Sequence, residues 1–216
     1  MLGEEFTSPI LLRRFVNMER VSLFIDFYNF ISSSNDYLNQ KCFIDYTKIQ
    51  KYFVDKATQV YGKTYIYGGL NFGKMLDFLE HQPRIDVIRG EVGKDNKEKC
   101  TDINIATGLL TKAFHNSYDV ALLFSGDRDY KKVVRELRRM GKIVGIVTPD
   151  GDAKDNASDL ANNVDFHIVL DETFYKKFWI PQNGKPYESM MDKPSPKKDD
   201  KTSNGQNETK HTEKTK

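Results

Sequence analysis

Val120-Ala121-Leu122-Leu123-Phe124-Ser125-Gly126-Asp127-Arg128-Asp129 is the stretch from which the fold of this chain can be read. Five consecutive apolar residues have strand length and suit a strand buried on both faces, as in a parallel sheet covered by helices. Ser125-Gly126 interrupts the run with two small residues, and Asp127 then opens a helix predicted to reach Met140. That helix turns Val133, Val134 and Leu137 toward a core, and Gly141 stops it. Downstream, Ile143–Val147 reads as the next strand. A Gly- and Asp-rich loop follows, then a short helix near Ser158–Asn163 and a last strand at Phe166–Leu170. Upstream, Asp102 opens a helix whose Ile105, Ala106, Leu109, Leu110, Ala113 and Phe114 recur at helical spacing.

The same alternation extends to the N-terminal side. Val21–Ile25 is another uninterrupted apolar run. A polar stretch, Ser32-Ser33-Ser34-Asn35-Asp36, leads to a predicted helix over 45–61, with Ile49, Phe53 and Ala57 on one stripe and Gly62 as its stop. Strands are expected at 64–70 and 85–92, separated by a short helix carrying Met75, Leu76 and Leu79 before Pro83. Residues 93–100 are polar and read as a loop. The expected fold class is α/β, with a mostly parallel central sheet and helices on both faces. Residues 1–17 read as an N-terminal extension, 18–180 as the domain, and 181–216 as a disordered polar tail.

The chain has 216 residues, 33 Lys+Arg and 31 Asp+Glu, for a net charge of +2. The tail from Asp192 onward holds seven lysines and five acids, which accounts for that whole excess. The folded part is therefore neutral, and a polyanion would need a local basic patch. Two cysteines, Cys42 and Cys100, are too few for a disulfide framework or a thiolate metal site and fit a reducing compartment. No apolar run approaches the ~18 residues of a membrane span. Ile10-Leu11-Leu12 ends at Arg13-Arg14, too short for a signal peptide. The expected location is cytoplasmic, with no membrane partner.

Three acids stand where an apolar strand stops or a helix begins: Asp26 after Val21–Ile25, Asp102, and Asp127. Each has an ordinary alternative, since acids cap helices and favour their first turns. Together, from separated parts of an alternating pattern, they can converge at the carboxyl edge of a parallel sheet. Such a cluster repels itself unless a cation is present, so it reads as a site for Mg²⁺ or Mn²⁺. Asn29 is a candidate neutral partner of that site, or a turn residue. Ser125 can orient a carboxylate, and Gly126 permits close backbone approach.

At these residues the chain resembles the NYN-domain family, the LabA-like branch of the PIN-like nucleases. The matching pieces are Val21–Asp26 with Asn29, Lys99-Cys100-Thr101-Asp102, and Tyr118–Tyr130 continuing through Leu137–Lys142. Ser158-Asp159-Leu160 and Asp165-Phe166 close the likeness, which covers about residues 18–171. The resemblance implies a Rossmann-like PIN fold and RNA cleavage with divalent metal. It assigns catalysis and metal binding to Asp26, Asp102 and Asp127, with Asp129 as a fourth acid at the metal. Phe27 departs from the pattern, standing where many relatives carry a small residue.

A nuclease with a neutral core needs a local track for phosphates. The helix from Arg128 offers one, with Arg128, Lys131 and Lys132 nearest the acids and Arg135, Arg138, Arg139 and Lys142 farther along. A solvated helix face is the plain alternative. Tyr28, Phe27, Asn71 and Phe72 follow strand ends on the same expected edge, where exposed rings can stack unpaired bases. His81, His115, His167 and His211 are scattered. The sequence thus points to a metal-dependent ribonuclease acting on single-stranded RNA. Its rivals are a non-catalytic RNA- or partner-binding module and a phosphohydrolase on nucleotides. Metal count, RNA target and oligomeric state, a homodimer included, stay open.

Overall fold

A computed structural model of the chain describes residues 18–69, 72–93, 98–150 and 157–181. The expected extension at 1–17 and nearly all of the expected tail lie outside the described residues, as does Asn71.

Six strands form one parallel sheet. They are β1 (Glu19–Asp26), β2 (Gln59–Tyr67), β3 (Ile85–Ile88), β6 (Val120–Phe124), β7 (Ile143–Pro149) and β8 (Phe166–Leu170), in spatial order β3-β2-β1-β6-β7-β8. Between β3 and β6 the chain makes a two-stranded antiparallel ladder, β4 (Glu91–Val92) with β5 (Glu98–Lys99), so the strand expected over 85–92 is split. The order runs outward in both directions from β1 and β6. Connections leaving those two strands diverge, which opens a crevice at their carboxyl ends.

Helices cover both faces. In chain order they are α1 (Phe27–Leu38), α2 (Tyr46–Ile49), α3 (Gly73–Glu80), α4 (Thr101–Phe114), α5 (Lys131–Arg139), α6 (Ala157–Ala161) and α7 (Glu172–Phe178). One core joins Leu23 and Ile25 of β1 and Phe124 of β6 to Phe27, Phe30, Leu76, Phe174 and Phe178. The opposite core joins Phe24, Leu123 and Ile146 to Ile105, Leu109, Val134, Leu137 and Leu160. Alternate side chains of the central strands feed the two cores, which is why these strands are apolar without interruption. The far end of the domain is pinned by a bridge between Ile44 and Trp179.

Three expectations are corrected. The polar stretch at Ser32–Asp36 belongs to α1, because Phe27, Phe30, Ile31, Ser34 and Leu38 fall on one buried stripe. Ser34 is tolerated there because its hydroxyl meets that of Tyr175 at 2.8 Å. The helix expected over 45–61 ends after one turn, at Ile49. Asp55 then draws the backbone out of helix: its carboxylate accepts from the N–H of Ala57 (2.9 Å) and the hydroxyl of Thr58 (3.0 Å). Gly62 is therefore not a helix stop. It lies in β2 where the register with β1 slips between Val21 and Leu23, and a Cβ there would stand 2.7 Å from Ser22 Oγ. Finally, Phe114 is 78% exposed and not part of the core.

Gly108 of α4 faces the ring of Tyr67, and a Cβ on it would fall 2.0 Å from the Tyr67 hydroxyl. That hydroxyl is buried and has no hydrogen-bond partner among the described residues. Gly108→Ala should therefore destabilise the fold by about 1–3 kcal/mol in urea denaturation. Tyr67→Phe should be neutral or stabilising, since it removes an unsatisfied polar atom. Combined, the two changes should cost less than their sum.

Candidate active site

β1 and β6 are adjacent and parallel, so the residues following them emerge side by side. Asp26 is the last residue of β1, is 4% exposed, and caps α1 by accepting the Asn29 N–H at Oδ1 (3.1 Å). Asn29 thus supports Asp26 through its backbone. After β6, Ser125 is buried and its Oγ accepts the N–H of Asp127 (3.2 Å). Asp127 in turn caps the 3-10 turn Arg128–Tyr130, its Oδ1 accepting the Asp129 N–H at 2.9 Å. Ser125 therefore holds the backbone from which Asp127 projects.

Asp102 arrives from a third element. The β4–β5 ladder leads into Cys100, whose left-handed backbone (φ 65°) turns the chain into α4. The cap position is thus Cys100, and Asp102 sits exposed in the first turn.

The link between these elements is a residue to which the sequence assigned no role. Tyr130, 2% exposed, donates its hydroxyl toward Asp26 Oδ2 and toward Asp102 Oδ1, each at 3.1 Å. A phenol has one proton for two carboxylates. The only sequence signal was its place at the end of Asp127-Arg128-Asp129-Tyr130, where an aromatic normally reads as core.

Burial pushes the Asp26 carboxyl up to about 6. The Asn29 N–H and the Tyr130 hydroxyl offset part of that cost, while the charges of Asp102 and Asp127 raise it further. Burial and the two neighbouring carboxylates likewise hold the Tyr130 proton in place, raising its pKa well above that of an ordinary phenol. Asp102 and Asp127 therefore both bear on Asp26 as like charges. Asp129 is exposed.

The donor set fits a hard divalent cation in kind: three carboxylates, one of them buried and destabilised by like charge. Two of the three meet at one hydroxyl. Among the described residues no three such side chains are already arranged as a ligand shell.

Around this centre the other expected residues divide. Tyr28 is 57% exposed and available for stacking. Phe27 is fully buried in the core and Phe72 packs edge-on against it (5.1 Å between centroids), so neither ring is a free platform. Arg128 and Lys132 are exposed. Lys131 is engaged by Asp159, its Nζ 2.7 and 2.8 Å from the two carboxylate oxygens. Lys131 holds the Asp159 carboxyl below the usual range, and Arg128 and Arg135 act in the same direction. At the far end of α5, Arg135, Arg138, Arg139 and Lys142 line a concavity with Asp165, on the opposite edge of the sheet from the acids.

The NYN domain signature matches residues 20–171. The chain belongs to the NYN domain family. NYN domains are PIN-like nucleases, and the parallel sheet with helices on both faces is the fold expected of one. Among solved structures, a protein of unknown function from Vibrio parahaemolyticus has a TM-score of 0.58 at 16% identity, covering 76% of this chain and 98% of that one. This likeness shows the shared fold. A proposed oxidoreductase from Parabacteroides merdae gives a TM-score of 0.29 at 12% identity, covering 71% of this chain and 31% of that one, and is too remote to bear on the NYN fold. No curated protein matches the chain. Among the described residues no helix is long and apolar enough to cross a membrane.

The displaced acidity of Asp26 gives a signed prediction for the cation-free NYN domain. Its folded value, about 6, lies above the unfolded 3.8, so its stabilising contribution is present below pH 4 and lost as pH rises through 6. The loss amounts to about 3 kcal/mol for a shift of this size. Urea denaturation in a chelator at pH 4.5 and 7.5 should show wild type losing more stability with rising pH than Asp26→Asn.

Proposed function

We propose that this NYN domain is a metal-dependent ribonuclease of the LabA-like branch, cleaving single-stranded RNA at Asp26, Asp102 and Asp127. The observation that carries the reading is the meeting of Asp26 and Asp102 at one buried hydroxyl beside Asp127, at the strand-order switch of a nuclease-family fold. Mg²⁺ or Mn²⁺, when bound, would supply Lewis acidity and neutralise charge at the phosphate. The chain's own residues do the remaining work. Asp26, fixed at both oxygens, is the rigid member of the set, while Asp102, exposed on a helix turn, has room to adjust. Ser125 and the 3-10 turn aim Asp127 across the crevice. Hydrolysis at such a site leaves a 5′-phosphate and a 3′-hydroxyl. Among the described residues of this site there is no histidine to serve as the usual base of a cyclic-phosphate route.

RNA would approach along Arg128 and Lys132, with Tyr28 stacking on an unpaired base. Lys131 contributes to phosphate binding only by exchanging Asp159 for a phosphate. Asp129 is a peripheral acid in this reading, facing solvent beside the metal residues. The free state of both cysteines, Cys42 and Cys100, accords with a cytoplasmic location.

Asp127→Asn should abolish Mg²⁺- or Mn²⁺-dependent cleavage of single-stranded RNA while keeping the fold, because an asparagine oxygen can still cap the 3-10 turn. Parallel assays on single-stranded DNA and mononucleotides separate a ribonuclease from a general phosphohydrolase. Full RNA cleavage by the variant, or none by wild type under any metal, would defeat the proposal.

Replacing Arg128 and Lys132 together by Ala should flatten the salt dependence of RNA binding. The slope of log K against log salt should fall by roughly 0.7 for each phosphate that the variant no longer neutralises. Thermal stability should scarcely change, since exposed charges contribute under ~1 kcal/mol. An unchanged slope, measured by fluorescence anisotropy across a salt series, would place the RNA elsewhere.

A further inference from the structure

The position of Tyr130 is set by packing as much as by its hydrogen bonds. Its ring belongs to the core that contains Ile105 of α4, Val134 of α5 and Leu160 of α6, so the hydroxyl is delivered to a fixed point. At that point it meets carboxylates from two elements far apart in sequence, the end of β1 and the first turn of α4. Among the described residues no other hydrogen-bond donor reaches both. The Asn29 N–H holds only Asp26, and the Asp129 N–H holds only Asp127.

Two roles are open to a hydroxyl so placed. It could occupy the space that a cation needs, or orient the ligands for one. The lone-pair count favours orientation. Each carboxylate presents about four acceptor directions over its two oxygens. Asp26 spends two of them, one on Asn29 and one on Tyr130, and Asp102 spends one on Tyr130. The phenol's one proton serves one carboxylate at a time, and even with its bond counted at both, Asp26 keeps about two directions and Asp102 about three in which to bind an ion. Outer hydrogen bonds that fix ligand orientation are a general means of raising metal affinity.

We infer that Tyr130 is a positioning residue of the cation site, joining Asp26 and Asp102 through its hydroxyl and thereby strengthening divalent-metal binding. The inference rests on the metal-site reading given above. It predicts an effect on affinity measured without RNA and without turnover.

The test is direct Mn²⁺ binding, followed by electron paramagnetic resonance of the free ion, with full-length wild type, Tyr130→Phe and Asp102→Asn. Circular dichroism and thermal melting check that each variant folds. The expected result is a folded Tyr130→Phe whose Mn²⁺ dissociation constant is raised roughly tenfold. A variant with a lower melting temperature and unchanged Mn²⁺ affinity would show a purely structural tyrosine and overturn the inference. Tighter binding would show a competing hydroxyl and overturn it equally. Wild type that binds no Mn²⁺, or binding indifferent to Asp102→Asn, would remove the metal site itself and the inference with it.

If Tyr130→Phe does not fold, wild type carrying tyrosine labelled at Cζ supplies the answer. The Tyr130 resonance should move with Mg²⁺ occupancy. A resonance unmoved at saturation would overturn the proposal.

Discussion

Burying an unpartnered carboxylate is costly, and the site edge of this domain is organised around avoiding that cost at Asp26. The residue ends the central strand, where apolar neighbours press on both faces. One of its oxygens takes the Asn29 N–H in the first turn of α1 and the other takes a tyrosine hydroxyl from the turn after β6. Those two bonds tie the exit of β1, the start of α1 and the entry to α5 to a single atom group. Through the same hydroxyl the start of α4 is drawn in. The crevice between the diverging connections is therefore built from mutually dependent parts, and a shift in one is felt by the rest.

Much of this was legible in the sequence because its cause is local. β1, β6 and β7 are interior strands, and apolar runs are what burial on two faces demands; β8 is an edge strand, with Phe166 and Val169 exposed. The acids at their ends follow from the same pattern. Other features have non-local causes. α1 hides behind three serines of poor helical preference, and only its buried stripe with Tyr175 behind Ser34 makes it a helix. The segment after Ile49 has helical spacing, yet Asp55 offers the backbone a competing turn. Lys131 reads as a free cation until Asp159, 28 residues on, is folded against it. Tyr130 reads as core, which it is; the role of its single polar atom exists only in three dimensions.

The charge layout qualifies the simple picture of a basic helix guiding RNA. α5 is rich in cations, but Arg138 pairs with Asp165, Arg139 with Glu136, and Arg135 with the side chain of Asn163. Several of them sit near the C-terminal end of the helix, where positive charge is favoured by the backbone itself. The cations near the acids and those at the far edge thus answer to different forces. Arg128 and Lys132, next to the turn, are exposed and form no ion pair among the described residues.

The three acids also differ in what the fold would lose without them. Asp26 and Asp127 each cap a helical turn, whereas Asp102 lies past its cap and holds up no backbone. Under relaxed selection on chemistry, drift would strike Asp102 first and spare the two caps for stability alone. A relative that has retired from catalysis would then still display Asp26 and Asp127 in their motifs. Two surviving carboxylates are weak evidence of a living enzyme; the fate of the third is the better guide.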